Sequence, residues 1–141
     1  ETTIPESALS SVLQQQQGIS TTPRRVVTAP IAYTVVAEDN KALIQCAVDA
    51  TVVSLPTGLA KGFSVTVQNT GADAAALVSI SPAATHAVKG TVGAVQSGGV
   101  INKDWRNTKA TAEQGDYTTL VYDGATGWWI VGGVGIWISE A

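Results

Sequence analysis

The residues that could carry acid–base or metal chemistry are few and scattered along the chain. His86 is the only histidine and Cys46 is the only cysteine. A Ser–His–Asp or Cys–His arrangement would need His86 as its base, but no serine has the G-x-S-x-G setting of a nucleophile. Zinc sites draw on clusters of Cys and His. The sequence therefore predicts no catalytic residue, no metal site and no cofactor.

Carboxylates and glycines add no catalytic signature. The triplet EDN at residues 38–40 lacks the alternating oxygen ligands and the distant Glu of a calcium loop. The segments GAVQSGG and GGVG match neither of the glycine-rich motifs that bind phosphate. A glycosidase needs two acidic residues at a defined separation, and no such pair can be placed from the sequence. We therefore expect a protein without enzymatic activity, and a hydrolase is the less favoured alternative.

Aromatic side chains are the remaining candidates for contact with a ligand. Trp128 and Trp129 are adjacent, and paired aromatics can form a platform for a sugar. Neighbours on a β-strand point to opposite faces, so only one of the pair is free for a partner. Trp105 lies in the polar segment 102–116, which we expect to be exposed, and Tyr117 follows it. These two aromatics are our candidates for facing a ligand such as a glycan.

Low charge is the main feature of the composition. Charged residues make up 13% of the 141 residues, against about 25% in a typical soluble domain. The net charge is −3, and the basic residues are scattered apart from the pair Arg24–Arg25. This distribution gives no footprint for nucleic acid. A small, polar and nearly uncharged surface is typical of strands packed in an assembly. Cys46 stands in the apolar run ALIQCAV, which predicts a buried thiol.

The elements that must position these residues are β-strands. From Tyr33 onward, short runs rich in β-branched residues alternate with turn signals, as in GFSVTVQNTG and ALVSISP. The segment YTTLVYDGATGWWIVGG predicts a hairpin with DGATG as its turn. Six to nine strands at this spacing indicate an all-β fold, a small antiparallel β-sandwich or barrel of the jelly-roll kind.

Residues 1–32 have a different character and are predicted to form an N-terminal arm. Pro5 and Glu6 are good first-turn residues of a helix, and Gly18 is a natural stop. Leu9, Val12 and Leu13 give that short helix one apolar stripe. A helix of about three turns is not stable alone, so it must dock on something. The predicted domains are therefore the arm, residues 1–32, and a β module, residues 33–141.

The apolar end of the chain does not predict a membrane anchor. The 11 residues from Trp128 to Ile138 carry no charge, but a spanning helix needs about 20 apolar residues. Their β-branched and aromatic side chains favour a strand. If Trp129, Val131 and Ile136 face the core, the opposite side must meet another chain. The residues expected at this subunit interface are Trp128, Ile130, Trp137 and Ile138.

The order of strands and turns resembles a β module of tailed-bacteriophage head fibres, capsid decoration proteins and tail fibres. The shared pattern is a YTV…D opening, a VSLP…GF.V.VQN.G centre, an I.P strand and a closing L.YDG…W.I.G, over about residues 33–133. The resemblance implies a non-enzymatic virion protein that decorates or cements the capsid exterior as a homotrimer. It implies contact of the arm with the major capsid protein, through Ile4, Leu9, Val12, Leu13, Arg24 and Arg25. The alternative is the receptor- or glycan-binding tip of a tail fibre or tailspike.

Overall fold

The computed structural model describes residues 23–92 and 95–140. Within these residues the fold is all-β, with twelve strands in two sheets and two single-turn 3-10 helices, Ala37–Asp39 and Lys109–Thr111. The predicted helix of the arm lies outside the described residues. The strands are β1 (Val26–Thr28), β2 (Ala32–Thr34), β3 (Ala42–Cys46), β4 (Thr51–Leu55), β5 (Ser64–Asn69), β6 (Val78–Pro82), β7 (Ala87–Val92), β8 (Val95–Gly98), β9 (Trp105–Asn107), β10 (Tyr117–Tyr122), β11 (Gly127–Val134) and β12 (Trp137–Ser139).

The first six strands wind as a flattened parallel coil. Odd-numbered β1, β3 and β5 lie side by side in the larger sheet, and even-numbered β2, β4 and β6 lie side by side in the smaller one. Each strand runs parallel to the next but one, because every connection crosses to the opposite sheet. The spacing between paired residues grows along the coil, to 17, 20, 23 and 27 positions in Val26–Leu43, Ala32–Val52, Ala42–Val65 and Thr51–Val78.

The second half of the chain completes both sheets. The larger sheet has the order β1-β3-β5-β10-β11-β7-β8, and the smaller has β12-β9-β6-β4-β2. The predicted hairpin is confirmed as the antiparallel pair of β10 and β11. The antiparallel topology of a jelly roll is wrong, because five of the ten strand pairings in the described residues are parallel. A short apolar run has the same composition in either orientation, so local sequence could not decide between them.

The predicted start of the β module at Tyr33 is also too late. Val26–Thr28 is the edge strand of the larger sheet, paired with β3, and Ala32–Thr34 is the edge strand of the smaller sheet, paired with β4. Pro23 and Pro30 favour extended backbone in the residues just before them, and extended backbone in this part of the chain is used for sheet pairing. The β module therefore includes residues that the sequence assigned to the arm.

One hydrophobic core fills the space between the sheets. Val65 and Val67 of β5 and Leu120 of β10 enter it from the larger sheet, while Val53 and Ile80 enter it from the smaller. In β5, the inward Val65 and Val67 alternate with the polar side chains of Ser64, Thr66 and Gln68. Cys46 is fully buried, as predicted, and burial raises the pKa of its thiol to about 12, so the reactive thiolate is scarce at neutral pH.

Three tryptophans are the largest side chains of the core. Trp105 and Trp137 stack with ring centroids 6.4 Å apart, and Trp128 meets Phe63 edge-on at 6.0 Å. All three tryptophans are completely buried. Truncation of a buried aromatic of this size costs about 3–5 kcal/mol, so these side chains account for a large share of a small domain's stability.

A buried polar chain joins the two sheets at one end of the core. Asn69 of β5 donates from Nδ2 to Asn107 Oδ1 of β9 over 2.8 Å, and Asn107 Nδ2 donates to Asp116 Oδ2 over 3.1 Å. Asn69 also donates to the carbonyl of Ala76 and accepts from the amide of Gly71. Because these groups satisfy one another away from water, losing one partner would leave the others unpaired at a cost of about 1–3 kcal/mol each.

Gly127 fixes how the final hairpin sits against β7. Its φ is 141°, and a Cβ at this position would lie 2.1 Å from the backbone oxygen of Ala87, its parallel partner on β7. Only a residue without a side chain allows the two backbones to approach this closely. Gly132, further along the same strand, has open space around its Cα.

We expect Gly127→Ala to lower the free energy of unfolding by about 2–4 kcal/mol, since it combines a disfavoured φ with a backbone clash. Gly132→Ala is the matched control and should change it by less than about 0.5 kcal/mol. Urea unfolding followed by tryptophan fluorescence measures both. Equal stability of the two variants would contradict the close approach of β11 and β7.

Candidate functional site

The outer face of the larger sheet carries two neighbouring surfaces with different chemistry. The first, the apolar stripe, consists of the exposed side chains of β11 and the turn that follows it: Trp129, Val131, Val134 and Ile136. The second, the outer groove, crosses β3, β5 and β10 and extends to residues 23–25, which precede β1. It is formed by polar side chains around Arg24, Thr66 and Thr119.

The apolar stripe exposes an unusual amount of hydrophobic side chain for one strand. Trp129 is 47% exposed, Val131 is 60% exposed and Val134 is 54% exposed. No charged residue occurs between Asp123 and Glu140. Exposed apolar residues scattered singly are ordinary, whereas contiguous ones mark an interaction surface.

Trp129 is held in a fixed orientation at one end of the stripe. Its indole Nε1 donates to Asp123 Oδ2 over 3.3 Å, and Lys89 Nζ lies 4.9 Å from its ring centroid. Lys89 Nζ also donates to the hydroxyl of Thr126 over 2.8 Å. A cation over an indole ring is favourable by roughly 0.5–1 kcal/mol at an exposed site. The ring is therefore presented to solvent with little freedom left to lose on binding.

Asp123 organises the hairpin turn beneath that ring. The hydroxyl of Thr126 donates to Asp123 Oδ2, and the amides of Ala125, Thr126 and Gly127 donate to Oδ1. These bonds hold the pKa of the Asp123 carboxyl well below its usual range, and the bond from the Thr126 hydroxyl has the largest effect. The ionised carboxylate is thus the form that the turn stabilises.

The outer groove is built on strands that lie far apart in the sequence and meet only in the folded chain. Arg24 donates from Nε to the carbonyl of Lys41 over 2.9 Å and from Nη2 to Thr66 Oγ1 over 2.9 Å. Thr66 in turn bonds the hydroxyl of Thr119 over 2.9 Å. Two adjoining cavities of about 570 and 300 Å³ share Arg24, Thr66 and Thr119.

Arg25, the neighbour of Arg24, is committed to a different contact. Its Nε donates to Asp39 Oδ1 over 2.8 Å, and Asp39 Oδ2 accepts from the Tyr33 hydroxyl over 2.5 Å and from the Val36 amide over 3.0 Å. The hydrogen bond to Asp39 raises the pKa of Arg25. Burial raises the pKa of the Tyr33 hydroxyl, and the hydrogen bond to Asp39 raises it further. Arg24 and Arg25 both tie the first strand to the rest of the fold.

Most of the predicted interface and ligand residues are placed elsewhere by the structure. Trp128, Ile130 and Trp137 were expected to face a neighbouring subunit, but they lie in the core of the chain itself; only Ile138 is exposed. The alternation was predicted correctly and its phase was wrong. Leu120 and Tyr122 point inward, and their partners across the hairpin are Ile130 and Trp128, so these four share the core face.

The two aromatics predicted to face a ligand have opposite outcomes. Trp105 is completely buried, stacks on Trp137 and donates from Nε1 to Thr118 Oγ1 over 3.3 Å. The polar segment that contains it was expected to be exposed throughout, but its first part forms β9 inside the smaller sheet. Tyr117 is half-buried and lines the outer groove. The predicted capsid-attachment residues Ile4, Leu9, Val12 and Leu13 lie outside the described residues.

His86 packs in the core rather than in an exposed turn. It is buried, its ring centroid lies 5.4 Å from that of Tyr122, and its Nδ1 has no hydrogen-bond partner among the described residues. Within residues 23–92 and 95–140, no group of three or more His, Cys, Asp or Glu side chains is arranged to hold a metal ion. No helix in that part of the chain is long and apolar enough to cross a membrane.

The sequence contained a signal for the apolar stripe but none for the outer groove. The inward position of Leu120 and Tyr122, taken with the hairpin register, would have assigned Trp129 and Val131 to the outside. No local signal pointed to the outer groove, because Arg24 reaches a threonine 42 positions away.

Comparison with known proteins gives no match to any family model and no significant match to a curated protein.

The shifted pKa of Asp123 predicts a pH dependence of stability. A carboxyl whose pKa is lower in the folded state stabilises the fold above its unfolded pKa of about 3.9, and this contribution is lost as pH falls through the folded value. Asp123→Asn should therefore be less stable than the wild type at pH 7, and the difference should shrink between about pH 4 and pH 2. Thermal unfolding across that range measures it. Asp73→Asn, which removes a carboxylate with a single backbone bond, is the control. A difference between wild type and Asp123→Asn that stays constant with pH would contradict the assignment.

Proposed function

We propose that this chain is a non-enzymatic structural protein of a virion, which decorates or cements the exterior of a phage capsid as a homotrimer. The observation that carries the proposal is the apolar stripe on the larger sheet. It presents Trp129, Val131 and Val134 to solvent on β11, without a charged neighbour in the sequence from Gly124 to Ser139. An exposed apolar patch of this kind usually marks a surface that another chain covers.

Self-association fits the charge of the chain. Identical chains with a net charge of −3 repel one another weakly at long range, so they approach best through a neutral surface. Charged residues are depleted at the centre of protein interfaces, whereas Trp is enriched there. Closed cyclic symmetry would cover the stripe on every copy. A trimer is the symmetry implied by the resemblance to phage head-fibre and decoration modules.

Attachment to the capsid is assigned to the residues before β1. They join the fold at Pro23, next to the free edge of the larger sheet. Their apolar residues Ile4, Leu9, Val12 and Leu13 are the proposed contacts with the major capsid protein. Arg24 and Arg25 are less suited to that role than the sequence suggested, because both bond within the β module.

A second candidate function is the tip of a tail fibre or tailspike that binds a host surface glycan. One observation favours it: Tyr117 lines a polar groove on the same outer face. Neither function requires catalysis, and they differ in the partner, which is a capsid in the first case and a cell surface in the second.

We expect the full-length protein to have a solution mass three times that of the 14.5-kDa chain, because the apolar stripe is buried between copies. The double variant Trp129→Ser/Val131→Ser should be monomeric and keep its β circular dichroism. Light scattering over a dilution series measures the mass. The matched control is Val48→Ser/Val100→Ser, which removes two equally exposed apolar side chains outside the stripe and should stay trimeric. A wild-type monomer at all concentrations would contradict the trimer.

Deletion of residues 1–22 should abolish co-sedimentation with capsids of the encoding phage and leave the trimer intact. The reason is that the β module and the stripe are both contained in the residues that follow. Full-length protein with Trp129→Ser/Val131→Ser is the informative comparison, since loss of avidity should weaken its capsid binding without abolishing it. Unchanged binding of the deleted chain would contradict attachment through the arm.

A further inference from the structure

The outer groove has the size and position of a ligand site rather than of a surface irregularity. Its two cavities of about 570 and 300 Å³ adjoin across Arg24, Thr66 and Thr119, and ligand sites commonly occupy about 300–1,000 Å³. Its floor is formed by β5 and β10, two central strands of the larger sheet. A site built on such strands keeps its geometry better than one built on loops.

Arg24 is a cation that is fixed in place but not neutralised. Its Nε and Nη2 are held by the Lys41 carbonyl and the Thr66 hydroxyl. Within the described residues, neither Arg24 nor Lys41 has a carboxylate within the 4.0 Å of an ion pair. Arg25 is paired with Asp39, and Glu38 is the remaining carboxylate of the lining. The groove therefore carries a net positive charge on a chain whose net charge is negative.

The rest of the lining is rich in hydroxyl and amide groups. The hydroxyls of Ser64 and Tyr117 have no hydrogen-bond partner among the described residues, so both are available to a ligand. Thr66 and Thr119 each keep acceptor capacity beyond their mutual bond. Among the described residues of the lining, Pro23 and Leu43 are the apolar ones. A ligand that fits must offer several hydrogen-bonding groups together with a negative charge.

We propose that the outer groove binds an acidic saccharide, with a carboxylate of the sugar meeting Arg24 and sugar hydroxyls meeting Tyr117 and Ser64. A peptide would need apolar pockets for its side chains, and a single-stranded nucleic acid would need several aromatic platforms along a basic channel. Arg24 Nε and Nη2 bond protein acceptors, and Nη1 is the guanidinium nitrogen that donates to none within residues 23–92 and 95–140, so Nη1 can donate to the carboxylate of a sugar. This site goes beyond the structural role, because decoration of a capsid requires no small ligand.

The experiment titrates the full-length protein with an oligogalacturonate of four residues, followed by calorimetry and by the NMR signal of Arg24 Nε–H. Binding is expected to weaken at high salt, since the charges are exposed. The neutral tetrasaccharide of galactose should bind at least tenfold more weakly. Absence of binding at 10 mM oligogalacturonate, about tenfold above the dissociation constant of a weak site of about 1 mM, would overturn the proposal. Equal binding of oligoglutamate would also overturn it, because the site would then read charge alone.

Two variants test the named residues. Arg24→Gln should lose at least tenfold in affinity for oligogalacturonate, and Lys109→Gln, which removes the same charge from a distant ion pair, should lose less than twofold. Because Arg24→Gln also removes a support of β1, Tyr117→Phe provides a second test that leaves folding unchanged, and it should weaken binding several-fold. Wild-type affinity in both groove variants would place the ligand elsewhere. None of these results depends on oligomeric state or capsid binding. The proposed structural role and the proposed saccharide site are therefore tested independently.

Discussion

The burial of Trp105, Trp128 and Trp137 between the two sheets is the constraint on which the remaining structure depends. The parallel coil of β1–β6 contributes smaller side chains to the core, such as Val53, Val65 and Ile80. The three indoles come from β9, β11 and β12, all in the last 37 residues, and they are the largest fully buried side chains among the described residues. Because strands alternate, each indole that points inward forces its neighbour outward. The exposure of Trp129 and Ile138 is therefore the direct counterpart of a well-filled core.

A second constraint acts at the end of the core. The chain of hydrogen bonds through Asn69, Asn107 and Asp116 connects a strand of each sheet with the loop before β10. It sets the register in which the two sheets face each other, since a shift of one residue would leave buried amides without partners. The apolar stripe and the outer groove both lie on the sheet that this connection positions. The positions of these two outer surfaces are thus fixed by polar contacts on the inside.

Local features of the structure could be predicted from the sequence, and long-range ones could not. The hairpin at DGATG, the strand GFSVTVQNTG and the buried Cys46 depend on residues close together in the chain, and all three are confirmed. The parallel coil depends on which strand each run pairs with 17–27 residues away, and β-branched composition does not encode that choice. The phase of the last strands is a different case, because it follows from the local pairing of Leu120 and Tyr122 with Ile130 and Trp128 across the hairpin. The outer groove follows from the same coil, because Arg24 meets Thr66 only after two turns of it.

The position of β10 and β11 inside the larger sheet also determines when the protein can be completed during synthesis. β5 and β7 are made early, but in the finished sheet they are separated by the last hairpin. A nascent chain that has not yet reached residue 134 therefore holds two open strand edges, and open edges pair readily with other chains. A polypeptide that terminates early keeps those edges permanently. Insertion of β10 and β11 between β5 and β7 covers both of these edges in one step.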